Sequence, residues 1–97
     1  MDKKPLKIES RIKEIKQELA LLGEMRPGSM TRQRRARGGQ YLHLTYVYKG
    51  KGRTEYVLDK HEERVTVQLA AYKRFKALTT EWVGLAIEQA RLRLAEK

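Results

Sequence analysis

The sequence predicts an α+β protein, mostly helical. An N-terminal helix and a long C-terminal helix form an antiparallel, coiled-coil-like pair, with a basic short helix and a two-stranded β-hairpin between them. Three observations predict this. Apolar residues toward both ends recur at alternating steps of four and three, which is the narrow seam of a coiled coil. The stretch YLHLTYVYKGKGRTEYVL alternates β-branched and aromatic residues around closely spaced glycines, the pattern of a hairpin. Between Arg26 and Arg53, 28 residues hold eight Lys or Arg and no Asp or Glu, whereas the other 69 carry 14 basic and 12 acidic side chains.

The first element spans about residues 6–23. Ile8, Ile12, Ile15, Leu19 and Leu22 form its seam. Pro5 suits a first helical turn, Glu9 and Lys13 make an i,i+4 pair on the wet side, and Gly23 with Pro27-Gly28 stops the element. A basic segment follows over about residues 24–39, in which Ser29 is placed to cap a short helix from Met30 to Ala36 that Gly38-Gly39 ends.

The hairpin spans about residues 40–58. With Gly50-Lys51 at its tip, Tyr48 faces Arg53, Tyr46 faces Glu55 and Leu44 faces Val57. Leu42, Leu44, Tyr46 and Val57 then share the face that packs on helices, and Tyr41, His43, Thr45 and Tyr56 share the other. The last element covers about residues 60–95. Asp59 with Glu62 resembles a capping box, and Ala71, Phe75, Leu78, Trp82, Leu85, Gln89 and Leu92 carry the seam. Thirty-six helical residues extend about 54 Å, twice the reach of the first helix. Half of the long helix is therefore expected to seek another surface, and a homodimer through it is the expected way to supply one.

Ninety-seven residues predict a single domain. Leu, Ile, Val and Phe total 22, little above the level at which highly charged chains stay disordered, so the core is expected to be thin. There is no cysteine, which excludes disulfides and cysteine-based metal sites. No apolar run reaches the roughly 18 residues of a membrane span. The start, MDKKPLKIESRIK, lacks the apolar stretch of a secretory signal. Cytoplasmic residence is the expectation.

A heptad helix followed by MRPGSM, a basic patch, a tyrosine-rich hairpin containing KGKGRTEYVL and a helix opening with YKRFKAL resembles an uncharacterised family of small prokaryotic proteins. That family is a domain of unknown function met among mobile-element genes, and the resemblance covers about residues 19–92. Its members usually carry a cysteine-rich knuckle, similar to a zinc-binding element, between the basic patch and the hairpin. Here that stretch reads RRARGGQYLHL, without cysteine. The resemblance implies that the metal site has been lost and the basic framework kept, in a nucleic-acid context. It supplies no catalytic residue.

The residues themselves point to a polyanionic partner. A net charge of +10 clustered on one segment is the footprint of nucleic-acid binding. Arg32, Arg34, Arg35 and Arg37 lie within six residues, and arginine's planar fork binds phosphate bidentately. On the expected short helix, Arg32 and Arg35 share a face. Lys49, Lys51 and Arg53 surround the hairpin tip, Tyr48 is placed to stack on a base or bond a phosphate, and Lys73, Arg74 and Lys76 extend the surface along the long helix. DNA is expected ahead of RNA. If seven or eight cations engage duplex DNA, log K falls against log salt with a slope of about −6 to −7.

Enzyme readings lack an inventory. His43 and His61 are the only histidines and fit no metal-ligand spacing, Glu62 and Glu63 are adjacent and so diverge, and no phosphate-loop pattern occurs. No cofactor, metal or small-molecule substrate is expected. The competing reading is a small coiled-coil adaptor or inhibitor that docks on an acidic protein, since Tyr and Arg are common interface anchors.

Overall fold

The computed structural model describes residues 4–34 and 40–95. Its elements are helix α1 (Lys4–Leu21), strands β1 (Ser29–Arg34), β2 (Gln40–Tyr48) and β3 (Lys51–Val57), a single 3-10 turn (Asp59–His61) and helix α2 (Glu62–Ala95). The class is the one predicted, α+β and mostly helical. The contacts group into two compact units, one of α1 with α2 from Arg74 onward, the other Gly23–Lys73.

In the first unit the two seams meet. Ile8, Ile12 and Ile15 are buried on α1 and Leu78 on α2, with Phe75, Trp82, Leu85, Gln89 and Leu92 half-buried along the same stripe. Ile15 and Leu78 have no accessible surface. Burying each such side chain contributes about 1.5–3 kcal/mol, so the seam supplies the stability.

Ion pairs report the register. Lys4 meets Glu88 at 2.6 Å, Arg11 grips Glu81 at 2.7 and 2.8 Å, and Arg74 grips Glu18 through two nitrogens. Lys4, Arg11 and Glu18 step by seven along α1 while their partners step back by seven along α2. That fixes an antiparallel, heptad-matched pair. A slip of one heptad in either direction brings like charges together, Glu18 onto Glu81 or Arg11 onto Arg74, so the charges select the alignment. Each exposed pair adds little stability, roughly 0–1 kcal/mol. Lys16 Nζ lies 5.4 Å from the Trp82 ring and covers the seam's edge.

In the second unit an antiparallel sheet runs in the order β1-β2-β3. The expected short helix at Met30–Ala36 does not form over the described residues, because Ser29–Arg34 is a strand paired with Thr45–Gln40. As a strand the segment satisfies its backbone on one side against β2 and brings Met30 to the buried face opposite Leu44. An isolated helix of two turns would gain neither. The expected Gly38-Gly39 stop lies outside the described residues.

The hairpin turn also differs. Lys49 and Gly50, not Gly50-Lys51, form the tip, so Tyr48 pairs with Lys51, Tyr46 with Arg53, Leu44 with Glu55 and Leu42 with Val57. Lys49 has φ 52° and Gly50 φ 79°, the two positive values of a two-residue turn whose twist matches that of the strands. The correction moves each pairing by two residues. It therefore leaves every side chain on its expected face.

Leu42 and Leu44 are buried on that face together with Val65 of α2. In the part of α2 that α1 leaves over, Val65 is buried while Val67 stays 62 % exposed. The Arg26 amide donates to the Gln68 carbonyl at 3.2 Å, and Gln68 Nε2 donates to Glu24 at 2.8 Å. Asp59 and Glu62 do not make the expected capping box. Leu58 precedes the 3-10 turn with no side-chain cap, and both carboxylates take Arg32 instead.

Gly28 explains part of MRPGSM. Its φ is +129°, and a Cβ there would lie 2.6 Å from the Thr45 carbonyl oxygen and 3.2 Å from Leu44 Cδ1. The backbone of β2 leaves no room for a side chain.

Two outcomes follow. Gly28→Ala destabilises the chain by on the order of 2 kcal/mol in urea titration, whereas Gly23→Ala, with open space around it, stays close to wild type. The second concerns acid. The Arg11 hydrogen bonds hold the Glu81 carboxyl below the ordinary glutamate value, and Arg74 does the same to Glu18. Carboxylates held low stabilise the fold above the ordinary value of about 4.3 and lose that contribution as pH falls through the lowered one. The melting temperature by circular dichroism should drop below about pH 4.3, and less steeply in Glu81→Gln.

Candidate nucleic-acid interface

The pleat divides the sheet into two chemically different faces. The Leu42 and Leu44 face carries the cations: Arg32 and Arg34 from β1, Lys51 and Arg53 from β3. Among the described residues the opposite face carries none. There β1 contributes Thr31 and Gln33, β2 contributes Tyr41, His43 and Thr45, and β3 contributes Thr54 and Tyr56; Tyr41 and His43 are half-buried and the others exposed.

The cations expected to act together are separated. Arg32 is held by Glu62 at 2.9 Å and Asp59 at 3.4 Å, and Arg74 is bound to Glu18. Arg26, within the carboxylate-free stretch, pairs with Glu55 and lies 5.3 Å from the Tyr46 ring. Arg35 and Arg37 lie outside the described residues. Lys73 and Lys76 are exposed on α2. Arg34 ends β1 opposite Gln40, at the far end of β2 from the turn. Eight residues of strand put it about 27 Å from the tip.

What stays together is the hairpin tip. Lys49, Lys51 and Arg53 are exposed and have no ion pair among the described residues, and Tyr48 beside them is 55 % exposed. Lys49 Nζ lies 5.4 Å from the Tyr48 ring. Lys49 is also the one non-glycine residue with positive φ among the described residues, a conformation that disfavours side chains other than Asn or Asp. A lysine is thus kept where Asn-Gly would turn more easily.

The sequence places Tyr48 ahead of the other tyrosines for stacking and puts Tyr41, His43 and Tyr56 together on the opposite face. Tyr41, His43 and Tyr56 form a contacting ring cluster there. Tyr56 meets Tyr41 edge-on at 5.2 Å and stacks with His43 at 5.9 Å, while Tyr41 and His43 are 6.3 Å apart. Period-two alternation had already placed the three on one face. What could not be seen was that β1 widens it.

Comparison of the chain with protein-family models, curated proteins and solved structures gives no match. The resemblance to the small prokaryotic family rests on its motifs alone. No helix among the described residues is long and apolar enough to cross a membrane.

The pairing of Arg32 makes a contrast measurable. Arg32→Ala should lower stability by about 1 kcal/mol at most, the worth of a partly exposed pair. Arg34→Ala, with no ion pair among the described residues, should stay within about 0.5 kcal/mol of wild type. Thermal melts at low and high salt separate the two.

Proposed function

We propose that this chain is a nucleic-acid-binding protein that contacts phosphates through the tip of its β-hairpin, in a cytoplasmic, mobile-element or phage setting. One observation carries the reading: Lys49, Lys51 and Arg53 sit together, exposed and without a carboxylate partner among the described residues. Two other cations of the second unit, Arg26 and Arg32, are matched by acids brought to them by the fold, whereas Arg34 and Arg64 stand apart from the tip without an ion pair among the described residues. Charge left unmatched at a projecting turn is available to an external polyanion.

Lys51 and Arg53 lie two apart on one strand and so project from the same face. Gly50 and Gly52 carry no side chain beside them, which lets backbone amides approach a phosphate. The mechanism is counterion release, in which each phosphate neutralised frees a condensed cation. The tip alone offers three contacts, fewer than the seven or eight that the clustering in sequence suggests.

Fluorescence anisotropy with labelled oligonucleotides across a salt series tests this. Three engaged cations give a slope of about −2 on single strands and about −3 on duplex DNA. Lys51→Ala with Arg53→Ala should flatten it to about −1. Absence of binding to any nucleic acid at about 50 mM salt, where phosphate contacts are strong, would sink the proposal and favour an adaptor that docks on an acidic protein.

A further inference from the structure

The outer face of the sheet combines three properties that do not serve the fold. Among the described residues it is uncharged, it is exposed at Tyr56 and the surrounding Thr31, Gln33, Thr45 and Thr54 with Tyr41 and His43 half-buried, and it concentrates aromatic rings. Tyr56 is 74 % exposed although it touches both Tyr41 and His43. Cross-strand aromatic contacts account for the pairing of these rings. They do not account for a tyrosine at position 56 that stays 74 % exposed on the side away from Leu42 and Leu44.

An uncharged aromatic face is poorly suited to the outside of a duplex, which presents phosphates. It suits bases that have lost their partners, since every base has a π-face and stacks on Tyr or His regardless of sequence. Around the rings, Thr31, Gln33, Thr45 and Thr54 supply hydroxyl and amide groups for base edges and sugars. Cations lie at the margin of this face. Lys49 is in the turn at one end of β3. Near the other end, an open cleft of about 350 Å³ is lined by Tyr56, Leu58, His61 and Arg64 among others. Arg64 is exposed, with no ion pair among the described residues. From Lys51 to Tyr56 the strand extends about 17 Å, enough for a few nucleotides.

We infer that the ring cluster Tyr41–His43–Tyr56 is a stacking platform for unpaired bases, with Arg64 holding a phosphate beside Tyr56, so that the substrate is single-stranded nucleic acid. This rests on the nucleic-acid reading and narrows it. Phosphates run between the cationic margins, and the bases lie on the rings. Both DNA and RNA carry this chemistry.

The test uses the full chain and oligonucleotides of about 12 nucleotides, within the span that single-strand binders cover: one oligo-dT, one oligo-U, and the duplex of matching length. A second set carries 2-aminopurine, whose fluorescence is quenched on stacking. Wild type should bind both single strands more tightly than the duplex and quench the probe. Tyr56→Ala should weaken single-strand binding about tenfold and abolish quenching, with a melt lowered only slightly by the lost contacts to Tyr41 and His43. Tyr56→Phe should restore both, and Arg64→Ala should weaken binding without removing the quench. A preference for oligo-U or oligo-dT assigns the source. If the chain binds nucleic acid through the tip but Tyr56→Ala and His43→Ala leave affinity and quenching untouched, the platform is refuted and the phosphate reading stands. If wild type binds no polynucleotide, both fall.

Discussion

The burial of Leu42 and Leu44 sets the rest of the second unit. Both lie at alternate positions of β2, the central strand, and together with Val65 they are the buried residues of that unit among the described ones. Once they point inward, the pleat dictates the direction of every other side chain in the sheet. Met30, Arg32, Arg34, Lys51 and Arg53 follow them, and Tyr41, His43, Thr45 and Tyr56 are turned outward. A slip of one residue would bury the tyrosine and histidine set and expose the leucines. The penalty for that is the lost burial of two leucines, about 3–6 kcal/mol, a large part of the stability of so small a protein.

The first unit is governed by a different constraint with the same logic. A four-three seam fixes which face of each helix is buried, but it is nearly periodic and so leaves the alignment degenerate by whole heptads. The charges lift that degeneracy. Lys4, Arg11 and Glu18 find opposite charges at the observed alignment, and each one-heptad slip confronts one of them with a like charge. Hydrophobic burial thus provides the energy, and weak surface electrostatics provides the choice.

Charge in the second unit behaves otherwise. A run of 28 residues without a carboxylate looks like an uncompensated patch along the chain. Folding compensates part of it with acids from elsewhere, Glu55 for Arg26 and Asp59 with Glu62 for Arg32. Among the described residues, what remains is divided by the length of β2 between Arg34 and the hairpin tip. Sequence clustering of cations is therefore a poor measure of the field a partner would meet, because linear neighbours on a strand diverge and distant acids converge.

The sequence by itself determined the class, both helical seams, the antiparallel pairing and the partition of the hairpin residues between faces. Each of these depends on short-range periodicity, which is written directly in the spacing of apolar residues. Tertiary structure alone decided that SMTRQR is a strand, since its buried cross-strand neighbours, Leu44 opposite Met30 and Leu42 opposite Arg32, are far along the chain, and local propensity does not register a ladder partner. It also decided the turn, because Lys49-Gly50 and Gly50-Lys51 differ in backbone twist rather than in composition. Last, it decided which arginines are already neutralised and that Tyr41 and Tyr56 meet His43 in one ring cluster. Those outcomes are set by side chains that converge from separate segments, and no spacing along the chain encodes such meetings.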